Sequence, residues 1–119
     1  MNDAAMNAFL RLMQDAFSFA KRAHACSFND PDKNRAEDKC SALSYAAACT
    51  AKYSAAEAIY WTTPELEHPE IPDLFTAFSS FVHEVQTDYE TNHSRQWVDI
   101  RFNDLEKAFK NSVCNQRIR

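Results

Sequence analysis

The chain has 119 residues, 45% of them hydrophobic, among them nine Phe, four Tyr and two Trp. That is one domain's worth of chain, with enough aromatic surface to fill a core without disulfide or metal staples. It contains no glycine and carries a formal net charge of −4, which excludes Walker and Rossmann phosphate loops, argues against a rich set of β-hairpins and counts against nucleic acid as a partner.

The first predicted helix runs from about Asp3 to about Ser27. Met6, Phe9, Leu10, Met13, Phe17 and Ala20 recur at helical spacing, and Leu12, Ala16 and Phe19 widen the stripe. Asn2 or Asp3 can cap its start, and Lys21, Arg22 and His24 lie in its last turns, where cations complement the helix dipole. Asp3, Arg11 and Asp15 interrupt the N-terminal stretch, which reads as an amphipathic helix rather than a signal peptide. No apolar run approaches the ~18 residues of a membrane span, so a cytoplasmic chain is expected, with no membrane partner. Asn29-Asp30-Pro31-Asp32 is a turn signal.

The second predicted helix runs from about Arg35 to about Thr62, with Asn34 as its cap. Between Cys40 and Thr62 the only charges are Lys52 and Glu57, and alanine occurs on every face. A helix apolar all round is normally enclosed by other helices or by a partner chain, which marks this one as the central helix. Pro64, Pro69 and Pro72 then allow a connection with at most one helical turn. Glu65, Glu67, Glu70 and Asp73 make this connection the most acidic surface of the chain.

The third helix is expected from Pro72 or Asp73 to about Thr91, with the stripe Leu74, Phe78, Phe81, Val82, Val85 and Tyr89. The fourth is expected from about Ser94 to about Cys114, with Val98, Phe102, Leu105, Phe109 and Val113. At 100° per residue the two stripes point roughly 140° apart, so a break at Asn92-His93-Ser94 lets both face one core. Arg117 and Arg119 form a basic tail. The expected fold is all-α: an antiparallel four- to five-helix bundle with a central Ala-rich helix, in a single domain over residues 1–119.

Candidate chemistry is sparse. Glu65 with His68 and Glu90 with His93 have the ExxH spacing that places two ligands on one helix face, but the first pair lies between prolines and the second at a helix end. His24, Cys26 and Cys40 could meet, yet without a zinc spacing. The four cysteines, Cys26, Cys40, Cys49 and Cys114, contain no CxxC pair and are expected to be reduced and buried, with two disulfides as the alternative. Glu57 stands out as a carboxylate on an otherwise small and apolar helix. It needs a partner such as Tyr53, Tyr60, Arg22 or His83, or else it belongs to a functional polar site. Tyr45, Tyr53, Tyr60 and Trp61 cluster along the same helix; such aromatics are enriched among interface anchors, with core and core edge as the more common alternative.

With neither catalytic spacing nor a cofactor motif, no cofactor, metal or enzymatic activity is expected, and binding leads. The expectation is a stoichiometric inhibitor of a protein partner with a basic surface, of the kind represented by toxin-neutralising immunity proteins or phage inhibitors of host enzymes. Its contact residues would be Glu57, Tyr60, Trp61, Glu65, Glu67, Glu70 and Asp73. The rivals are a metal or catalytic bundle using Glu57, Glu90 and His93, and a self-associating module with the second helix in a homodimer interface.

Overall fold

The apolar stripes become the inner faces of four helices. The computed structural model describes residues 3–28, 36–91 and 95–115, and every regular element among them is helical: α1 (Asp3–Phe28), α2 (Ala36–Thr62), a short 3-10 turn (Pro64–Leu66), α3 (Glu70–Thr91) and α4 (Arg95–Lys110). The expected caps Asn2 and Asn34, the start at Arg35, the turn at Asn29-Asp32, the break at Asn92-His93-Ser94 and the tail Arg117 and Arg119 lie outside the described residues. None of the helices described is long and apolar enough to cross a membrane.

Two boundaries differ from expectation. α3 begins at Glu70, with Pro72 inside its first turn. Proline is tolerated there because the first N–H groups of a helix have no intrahelical acceptor to lose. α4 ends at Lys110 rather than Cys114. The Ser112 hydroxyl donates to the Phe109 carbonyl at 2.7 Å and accepts the Cys114 N–H at 3.1 Å, turning the chain back on itself. The Gln14 amide then holds the Cys114 carbonyl at 3.0 Å.

The helices share one core. Phe9, Met13, Phe78, Phe81, Ile71, Leu74, Leu105, Val85 and Val98 are all essentially solvent-free. Along α1, contacts with α4 and the turn after it descend in number as α1 ascends: Gln14 with Cys114, Phe17 stacked on Phe109 at 4.3 Å, His24 stacked on Phe102 at 4.1 Å, and Ser27 with Arg95. At the opposite end Phe9 meets Tyr60 and Phe75. Lys21 and Arg22 lie well before the end of α1 and cover aromatic rings instead of its last turn. Lys21 sits over Phe17 at 5.5 Å, and Arg22 over Phe19 and Tyr45 at 5.8 Å each.

α2 is not enclosed on all sides. Its inner face is Ala42, Ala46, Cys49, Tyr53, Ala56 and Tyr60, at spacings of four and three, while Ala47, Ala51, Ala55 and Ala58 are exposed. Alanine is the strongest helix former and loses little by facing water, so its abundance reports helix propensity rather than burial.

All four cysteines are free. Cys49 and Cys114 are buried as expected, Cys26 is half-buried and Cys40 is exposed. Burial pushes the Cys49 and Cys114 thiols up to about 12. Burial, with the Asp38 carboxylate second, also raises Cys26. Since the thiolate is the nucleophile, iodoacetamide near pH 8 is expected to label Cys40 first, and Cys49 and Cys114 only after unfolding. Timed quenching and mass spectrometry check this order. Labelling of Cys49 as fast as Cys40 would put the inner face of α2 in solvent.

Candidate functional site

The residues from Tyr60 to Asp73 form a stiff corner at one end of the molecule. α2 stops where the Thr62 hydroxyl bonds back to the Ala58 carbonyl at 2.8 Å and Pro64 follows. Leu66 N–H donates to the Thr63 carbonyl at 3.0 Å and Glu67 N–H to the Pro64 carbonyl at 3.1 Å, closing the 3-10 turn, while the buried Leu66 side chain pins it to the core. The Tyr60 hydroxyl accepts from the His68 N–H and donates to its carbonyl, each at 3.4 Å. A groove of about 650 Å³ results, lined by Tyr60, Pro64, Glu67, His68, Pro69 and Pro72.

Trp61 stands beside this groove, its ring edge-on to Tyr60 at 4.9 Å, and is 66% exposed. Glu65, Glu67 and Asp73 are also exposed, with no ion-pair partner among the described residues. Glu70 is held by His68 at 2.7 Å. Its own backbone N–H, at the start of α3, is the main cause that lowers its carboxyl below the usual range, and the His68 hydrogen bond adds to this. Residues 53–94 contain eight Asp or Glu and no Lys or Arg, so the α2 C-terminus, the corner and α3 present carboxylates without a covalently neighbouring base.

No protein-family model matches the chain, nor does any curated protein or solved structure. Function therefore rests on the geometry alone.

Six of the seven expected contact residues, Tyr60, Trp61, Glu65, Glu67, Glu70 and Asp73, are brought to this corner, Tyr60 as its buried support. Glu57 is not among them. It lies half-buried in a separate cavity of about 340 Å³ on the α2–α3 seam, with Tyr53, Ser54, Phe75, Thr76, Ser79 and Ser80. It makes no hydrogen bond or ion pair among the described residues, so none of the partners expected for it, Tyr53, Tyr60, Arg22 or His83, holds it.

The metal constellations do not assemble among the described residues, where no group of three or more ligating side chains meets. His24 is engaged by Asp99 at 3.0 Å and Cys40 is exposed. His93 lies outside the described residues. Glu90 is ten to fourteen residues along α3 from Thr76 and Ser80, the neighbours of Glu57, which at the helical rise is about 15–20 Å.

A polar cluster at the other end was missed from sequence. Asp88, fully buried on α3, accepts a hydrogen bond from Arg95 Nε at 3.1 Å and is ion-paired with Nη2 at 3.0 Å, and Arg95 Nη1 donates to the Ser27 carbonyl at the end of α1. The guanidinium also lies 5.5 Å from the Tyr89 ring centroid. The signal was present: Phe78, Phe81, Val85 and Asp88 follow core spacing, so Asp88 occupies an inner position.

Proposed function

We propose that the chain is an antiparallel four-helix bundle that acts by binding, as a stoichiometric inhibitor of a protein partner with a basic surface. Immunity proteins and phage inhibitors exemplify this mode of action. The observation that carries the reading is Trp61, two-thirds exposed at the start of a segment shaped by prolines and a 3-10 turn, which also carries the exposed carboxylates Glu65, Glu67 and Asp73, without an ion-pair partner among the described residues. A large exposed aromatic braced edge-on against a buried tyrosine has the character of an interface anchor. The carboxylates supply the long-range attraction that selects and accelerates encounter with a basic partner.

Affinity capture from the native cell with the unaltered chain and with Trp61→Ala, followed by calorimetry on the captured partner, tests this. A one-to-one complex is expected, weakened by about 30-fold or more in Trp61→Ala, the hot-spot range. The combination Glu65→Gln, Glu67→Gln and Asp73→Asn should slow association and flatten its salt dependence. Equal retention by the Trp61 variant would overturn the reading. So would light scattering that shows a homodimer closed through this corner.

A further inference from the structure

The cavity around Glu57 has no role in the corner just described, yet its chemistry is specific. Its two walls come from α2 and α3. α3 carries no Lys or Arg along its 22 residues. The base preceding Glu57 on α2, Lys52, is turned toward α1, 3.8 Å from Asp15. The Glu57 carboxylate therefore faces a cavity with no cation supplied by either wall.

The rest of the lining consists of hydroxyls and two aromatic side chains, Tyr53 and Phe75. Ser54, Ser79 and Ser80 bring hydroxyls. The Thr76 hydroxyl already donates to the Pro72 carbonyl at 3.1 Å, so what it has left to offer is acceptor capacity. Tyr53 is buried and stacked on Phe78 at 5.4 Å, which fixes its ring as a rigid wall. One carboxylate, several hydroxyl acceptors and an aromatic wall match a guanidinium in particular. Its five donors fan out in one plane, its faces stack on rings, and it sheds water more readily than an ammonium. The volume of about 340 Å³ is at the lower end of ligand pockets, the size of a single side chain rather than a cofactor.

We infer that the α2–α3 cavity is a receptor for one arginine side chain of the partner protein, with Glu57 as the counter-charge and the Ser54, Thr76, Ser79 and Ser80 hydroxyls as secondary acceptors. This rests on the reading of the chain as a binder of a basic partner and assigns that partner a second anchor, apart from the Trp61 corner. It also accounts for a carboxylate at Glu57 with no partner among the described residues: the group is held for an external cation.

The inference is tested without the partner. Isotope-labelled protein is titrated with Nα-acetyl-arginine methylamide, and in parallel with the citrulline and lysine analogues, following backbone amide shifts. Saturable shifts centred on Ser54, Thr76, Ser79 and Ser80 are expected with arginine and none with citrulline, which has the same shape without the charge. Glu57→Gln, whose amide spectrum should otherwise superimpose on the parent's, is expected to weaken the arginine response by about tenfold or more, in line with loss of one charge-assisted contact. A citrulline response equal to that of arginine overturns the inference on the unaltered chain alone, whatever the variant does. An unchanged response in Glu57→Gln also overturns it, as does tighter binding of the lysine analogue. Shifts confined to Glu65, Glu67 and Trp61 would overturn it while leaving the corner as a cationic docking surface intact. A failed capture experiment with a positive titration would separate the two readings in the other direction.

Discussion

Arg95→Met is expected to destabilise the protein by about 3–5 kcal/mol, the cost of leaving one partner of a buried ion pair uncompensated. The Asp88 side chain is 1% exposed and that of Arg95 13%, and both short contacts to Asp88 come from the one guanidinium. The same substitution removes the bond to the Ser27 carbonyl, which joins the end of α1 to the start of α4. Urea unfolding followed by circular dichroism measures the loss, and in a chain of this length the melting temperature should fall on the order of 10–20 °C. The double variant Asp88→Leu with Arg95→Met is expected to recover much of the stability, since an apolar pair of similar volume avoids the desolvation penalty of two charges. A single variant that melts with the parent would mean that the pair is solvated.

Phe78→Ala is expected to cost about 3–5 kcal/mol through lost burial and the cavity left behind. Phe78 is fully buried on α3 and its ring is stacked on Tyr53 of α2, a residue that lines the Glu57 cavity. Phe102→Ala belongs to the same class, since its ring meets Phe17, His24 and Phe81. Chemical denaturation checks both. An unchanged midpoint in Phe78→Ala would place the α3 stripe against solvent. Because Phe78 supports Tyr53, this variant should also blunt the arginine response, which links core packing to the proposed receptor.

The candidate site was only partly legible in the sequence. Prolines and carboxylates between Thr62 and Asp73 mark an acidic connection, and Trp61 is a residue type enriched among interface anchors. That the corner is stiff depends on Leu66 reaching the core and on Tyr60 bonding to the His68 backbone, contacts across a turn that composition does not encode. Glu57 is unusual on an otherwise small and apolar helix, and the sequence points to a structural partner or a functional polar site. Among the described residues it has no hydrogen-bonding partner, and it lies in a separate cavity from the corner.

What the sequence determined by itself was the helical class and the inner faces of α1, α3 and α4. Large apolar side chains at a period near 3.6 have one low-energy arrangement, in which the stripe is buried, and every stripe position on α3 from Leu74 to Val85 is buried. Tertiary structure decided the rest. The orientation of α2 could not be read because alanine's single methyl gains little from burial, so alanines lie both on its inner face and in water. The role of Asp88 and Arg95 could not be read either. A charge at an inner position becomes structural only when packing brings an opposite charge and a free carbonyl to it, and here the carbonyl comes from Ser27, 68 residues away in the chain.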